Sequence, residues 1–133
     1  MRNPMKLTLI ATVASFLTAA ALAQSLSFSF AGPVSRVITP NGDLNNDTAF
    51  IRFCNPAGSD VSGRIYTLLG AEVALLGPRM TGLDACPADA SPNYFEYLAW
   101  DGRSNGNIVG SGIYVYRIQA ENRIYSGTIL VVR

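Results

Sequence analysis

Beyond residue 23 the chain sustains no apolar repeat of the helical period, about 3.6 residues. It carries short runs that alternate apolar and polar, separated by clusters of Gly, Pro, Asn and Asp. Alternation places successive side chains on opposite faces of a strand, so each run buries its apolar face only against a second layer. Many short strands between frequent turns point to an all-β fold. The expectation is an Ig-like antiparallel β-sandwich of about seven or eight strands, with a small barrel as the alternative.

Ser25–Phe30 sets Leu26, Phe28 and Phe30 on one face. Val34–Thr39 is a second run, ended by Pro40-Asn41-Gly42-Asp43. Thr48–Cys54 follows, with Phe50 out of phase with Ile51 and Phe53, and Asn55-Pro56-Ala57-Gly58 is a turn. Val61–Leu69 and Glu72–Leu76 read as strands. Gly77–Asn93 holds Pro78, Gly82, Pro87 and Pro92 and is expected to be a long irregular loop. Tyr94–Trp100 resumes the strand pattern, and Asp101–Gly112 is rich in turn residues. Ile113–Ala120 and Ile124–Val132 are the strongest runs, and Glu121-Asn122-Arg123 between them reads as a hairpin connection. Trp100, at the end of its run, is the expected core anchor.

The first 23 residues have the form of an export signal. Arg2 and Lys6 precede an apolar stretch, Leu7–Leu22, which Thr8, Thr12, Ser15 and Thr18 interrupt. Ala21-Leu22-Ala23 fits a small-x-small cleavage site, with Gln24 as the new N-terminus. The alternative, a membrane anchor, needs about 20 apolar residues. Cleavage would leave residues 24–33 as an N-terminal extension and 34–133 as one sandwich domain, secreted or extracytoplasmic and without a transmembrane segment. In an oxidising compartment Cys54 and Cys86, the two cysteines, are expected to form one disulfide. The alternative is a buried thiol and an exposed one. A redox-active role is not expected, because no C-x-x-C spacing occurs.

Loss of Arg2 and Lys6 leaves eight Arg, no Lys and all nine acidic residues, a formal charge of −1. That balance is not a nucleic-acid footprint. With no His and no Lys in the mature chain, His-assisted triads, Ser–Lys dyads, His-ligated metals and Schiff-base chemistry are excluded. A carboxylate pair is the common catalytic scheme that composition still permits, but nothing in the spacing of Asp84, Asp89, Glu96 and Asp101 forces two of them into one cleft. Gly110-Ser111-Gly112 is not a nucleophile elbow. The chain is therefore read as non-catalytic.

Two clusters remain as binding candidates. Asp43, Asn45 and Asp47 place oxygen ligands at alternate positions of a turn, a pattern that suits Ca²⁺, although Thr48 and Cys54 stand where an EF-hand needs Gly and Glu. The competing reading is a turn whose Asn and Asp side chains bond nearby amides. Tyr114 and Tyr116 share one strand face, which reads as core or, in the sharper alternative, as a platform for a glycan. The run Ser25–Phe30 also has two readings. It pairs with the chain's own sheet, or it adds to the sheet edge of a neighbouring subunit.

Several of these motifs together resemble a known family. Ile65-Tyr66-Thr67-Leu68-Leu69-Gly70-Ala71-Glu72-Val73 is similar to the I-Y-D-L-x-G-R-x-V strand pair of FlgD-type (flagellar hook-capping) Ig-like domains. Trp100-Asp101-Gly102-Arg103, Gly106 and Gly112-Ile113-Tyr114-Val115-Tyr116-Arg117 resemble the W-D-G and S-G-x-Y-x-Y-R segments of the same domains. Pro40-Asn41-Gly42-Asp43 with Asn46-Asp47-Thr48 looks like their P-N-G-D-G-x-N-D opening, which also begins gliding-motility-associated C-terminal domains. Leu44 stands in place of the usual Gly, and the segment holding Cys86 is an addition to the pattern. The resemblance implies a bacterial Ig-like sandwich acting in assembly, attachment or sorting for secretion. Because the leader runs almost directly into the module, a stand-alone structural or protein-interaction role is expected. Its partner would be another protein or a second copy, joined through sheet edges.

Overall fold

A computed structural model describes residues 27–87 and 93–133. The segment expected to be an export signal, Ser25, Leu26 and Asp89 lie outside the described residues. Within them the chain forms β1 (Ser29–Pro33), β2 (Val37–Ile38), β3 (Ala49–Cys54), β4 (Val61–Thr67), β5 (Glu72–Leu75) and β6 (Arg79–Ala85). It continues with β7 (Tyr94–Trp100), β8 (Arg103–Ser104), β9 (Asn107–Ile108), β10 (Gly112–Ala120) and β11 (Arg123–Val131). The described residues contain no helix.

Two sheets face each other. One is four-stranded, in the order β1-β3-β7-β6, and the other is five-stranded, in the order β2-β11-β10-β4-β5. The first corresponds to the A-B-E-D sheet of an immunoglobulin sandwich, and the second to its G-F-C face extended at both edges. The strand that opens the domain is shared between the layers. β1 pairs antiparallel with β3, and the chain then crosses to the other sheet, where β2 pairs parallel with β11.

Period-two patterning decides which face is buried. Ile51 and Phe53 of β3, Leu98 and Trp100 of β7, Tyr116 and Ile118 of β10, and Ile129 and Val131 of β11 all point between the sheets. Phe28 and Phe30, from the stretch read as an extension, close one side of this core. Phe28 lies 5.1 Å from Phe53 and 5.4 Å from Tyr125, ring centre to ring centre, and Phe30 stacks on Tyr125 at 4.9 Å. The described part of Ser25–Phe30 thus pairs with its own chain, through β3.

The β10–β11 hairpin turns through Glu121 and Asn122, with φ of 49° and 60°. Positive φ at both central residues is the mark of a type I′ turn, whose twist matches that of the strands it joins. Midway along this hairpin Gly127 faces Tyr116. A Cβ at Gly127 would collide with the Tyr116 hydroxyl and ring. The glycine therefore makes room for a buried ring that has little space to move. Gly127→Val should lower unfolding stability by about 1–3 kcal/mol, the usual range for overpacking. Urea denaturation would measure this, and an unchanged midpoint would show that the ring relocates freely.

One stretch differs from expectation. Gly77–Asn93 is not an irregular loop throughout, because Arg79–Ala85 forms β6, paired with β7 through a break in register between Thr81 and Ala85. Every residue of β6 except Gly82 is exposed, so neither face imposes an apolar period on the sequence. Val34–Thr39 yields only the short β2, because Val34 still bonds to Phe50 of the other sheet.

Candidate functional site

The cysteines form the expected disulfide. Cys54 ends β3 and Cys86 follows β6, with Cα atoms 6.0 Å apart and a sequence separation of 32. The bridge ties two strands of the same sheet, whereas antibody domains join their two sheets. Such a bond is compatible with an oxidising compartment. No helix among the described residues is long and apolar enough to cross a membrane.

The Asp43–Asp47 loop is organised from within. Asp47 Oδ1 accepts bonds from the amides of Asn41 (2.8 Å) and Gly42 (3.0 Å), and Oδ2 accepts one from Leu44 (2.7 Å). Asp43 Oδ1 accepts the Asn45 amide at 2.9 Å, and Asn41 Oδ1 accepts the Asp43 amide at 3.0 Å. The backbone can point these N–H groups inward because Gly42, Leu44 and Asn46 adopt positive φ. Both oxygens of Asp47 thus face the positive ends of amide dipoles, the reverse of the surroundings a cation needs. Among the described residues, no group of three or more His, Cys, Asp or Glu side chains could hold a metal.

Partial desolvation pushes the Asp47 carboxyl up, but the bonds from Asn41, Gly42 and Leu44 outweigh it and leave the pKa below the ordinary 3.8. A lowered folded-state pKa stabilises the native state above the unfolded value. That contribution is lost as pH falls through the lower folded value. The melting midpoint should drop in acid below about pH 4, and Asp47→Asn should flatten that drop. Midpoints measured in calcium and in chelator should coincide, and a calcium-dependent rise would return the metal to this loop.

Leu44, 95% exposed, holds φ of 66° where the resembled domains carry Gly. A left-handed conformation costs an L-residue roughly 1–2 kcal/mol, partly offset by the greater freedom glycine loses on folding. Leu44→Gly should therefore stabilise the fold by up to about 1 kcal/mol in thermal or urea unfolding. Lower stability in the variant would mean that Leu44 has a compensating contact.

The Trp100-Asp101-Gly102 segment locks against the same end of the sandwich. Trp100 is 2% exposed and its indole Nε1 donates to the Arg103 carbonyl at 2.9 Å. Gly102 has φ of 73°, and a Cβ there would lie 3.0 Å from Pro40 Cγ. Pro40 and Gly102, far apart in sequence, are thus packed together. Tyr114 leans on Trp100 with ring centres 5.4 Å apart and donates its hydroxyl to the Gly110 carbonyl. Tyr116 is buried, which pushes its hydroxyl above the ordinary 10.0, with Arg36 opposing. Tyr116 is thus closed to a sugar, and Tyr114, half-buried, has one ring face against Trp100. Gly112 opens β10 with φ of 154°.

Of the acids considered for catalysis, the three that are described each have separate surroundings. Glu96 is held by Arg79 at 2.8 Å, Asp101 accepts the Arg103 amide at 3.1 Å, and Asp84 is exposed on β6. A groove of about 630 Å³ includes Ser59, Arg79 and Glu121 in its lining. Arg79 is already paired, and Glu121 accepts bonds from Ser59 Oγ (2.7 Å) and the Phe28 amide (3.1 Å). The Ser59 and Phe28 bonds, opposed by desolvation and aided by Arg123, hold the Glu121 carboxyl below the ordinary 4.5.

Polar groups of the motifs thus bond largely to one another, and the sheets end in open strand edges. β5 and β6 are outer strands of their sheets. β11 is covered by β2 only at Leu130 and Val131. Sequence reasoning anticipated edges in general but located neither β6 nor the uncovered length of β11. No protein-family model, no curated protein and no solved structure matches this chain.

Proposed function

We propose that this chain is a non-catalytic, exported structural and protein-interaction module of the bacterial cell surface or extracellular space. The observation that supports the reading best is the contrast between its motifs and its edges. The Asp43–Asp47 loop and the Trp100-Asp101-Gly102 turn are closed by internal bonds, while strands β5, β6 and β11 leave backbone edges facing solvent. An open edge offers rows of N–H and C=O groups to another chain. The resemblance to flagellar hook-capping and gliding-motility domains supports the same reading.

That resemblance also carries a second reading, a sorting or attachment domain recognised by a secretion system. Fractionation of a bacterium expressing the full chain tests both. The module reading expects external, disulfide-bonded protein with an intact C-terminus, and the sorting reading expects a trimmed one. Cytoplasmic protein with reduced thiols would overturn both.

A further inference from the structure

An interaction module must engage its partner through a particular edge, so the choice of edge and occupant rests on that reading of the chain. The edge of β11 supplies the most detail. The amides of Leu130 and Val132 point away from β10 and donate to the carbonyls of Arg36 and Ile38, at 2.7 and 3.0 Å. Backbone direction repeats every second residue along a regular antiparallel ladder, and β11 pairs with β10 without a break in register. The N–H and C=O groups of Ile124, Ser126 and Thr128 therefore point the same way. β2 stops short of them, and among the described residues no other strand pairs with them.

Three arginines flank this edge. Arg36 lies at one end, Arg123 at the other, and Arg117 on the outer face directly opposite Ser126. All three are exposed, and none forms an ion pair among the described residues. Glu121, the nearby carboxylate on the hairpin, is engaged by Ser59 and Phe28. On the outer face a recess of about 480 Å³ includes Tyr66, Val115, Arg117 and Ile124 in its lining. On the inner side, the Phe30–Tyr125 stack is only half-buried.

We propose that β11, between Arg123 and Thr128, accepts an extended acidic segment of a different polypeptide as an added strand. The guest's backbone completes the hydrogen bonds of Ile124, Ser126 and Thr128. Side chains on its inner face cover Phe30 and Tyr125, a carboxylate on its outer face meets Arg117, and acidic residues near its two ends meet Arg123 and Arg36. Main-chain pairing supplies the affinity, and the alternating side chains supply the selectivity.

Two short peptides test this with the mature protein, one alternating valine with glutamate and the other valine with lysine. Amide hydrogen exchange at Ile124, Ser126 and Thr128 should be fast in the free protein and slowed by the acidic peptide. The acidic peptide should bind about tenfold more tightly than the basic one, with the gap narrowing as salt rises. Arg117→Glu combined with Arg123→Glu should reverse that preference. Ser126→Pro removes a guest-facing donor without touching the β10 ladder and should abolish binding.

Equal binding of both peptides, or no slowing at these amides, would overturn the proposal. Slowing confined to β5 or β6 would also overturn it, while leaving the interaction-module reading in place. Slowing that grows with protein concentration and no peptide would identify a second copy as the occupant and overturn the acidic partner. Retention in the cytoplasm would sink the module reading whatever the peptides do.

Discussion

Trp100→Ala will lower the unfolding free energy by about 3–5 kcal/mol, the range for deleting a large buried aromatic side chain. The indole is almost wholly enclosed and sits at the end of β7, where Ala49 is its cross-strand partner. Its removal opens a cavity beneath Tyr114 and leaves the Arg103 carbonyl without the indole donor that now holds the turn. Domains of this size have only about 5–15 kcal/mol of net stability, so the variant should be partly unfolded at modest urea concentrations. Trp100→Phe should recover most of the packing but not the hydrogen bond, placing it between the two. If Trp100→Ala unfolds at the wild-type midpoint, the indole is not the anchor of the core.

Removal of the Cys54–Cys86 bridge is the second large effect. For a separation of 32 residues the loop-entropy model gives roughly 3–4 kcal/mol. The loss should be felt first at β6. This strand has no buried residue of its own and depends on β7 pairing and the bridge. Cys54→Ala with Cys86→Ala, or simple reduction, should lower the urea midpoint and speed amide exchange in β6 before β10 or β11. Uniform exchange throughout the molecule would show that the bridge stabilises the whole sandwich equally.

The sequence was legible where one face of a strand is buried. β3, β7, β10 and β11 each set apolar residues at alternate positions because the other sheet receives them, and their limits fall within a residue or two of the alternation. β6 escaped because it faces water on both sides and so writes no period into the chain. The Asp43–Asp47 pattern was visible, but oxygen ligands on a short loop serve a cation and a ring of amides equally well in one dimension. What separates the two is the left-handed backbone at Leu44 and Asn46, which turns the N–H groups toward Asp47. The bare length of β11 was beyond reach for a different reason. It depends on where the chain crosses from β1 to β2, and that follows from a long-range bond, Val34 to Phe50.

The parallel pairing of β2 with β11 also governs how the domain bears tension. When the segments flanking the fold are pulled apart, β1 is loaded against β3 first, and once it has released, β2 and β11 are drawn in opposite directions along their common axis. The Leu130–Arg36 and Val132–Ile38 bonds are then strained together, in shear, and must break as a set. A domain anchored at one end and tugged at the other would resist force more than its modest size implies.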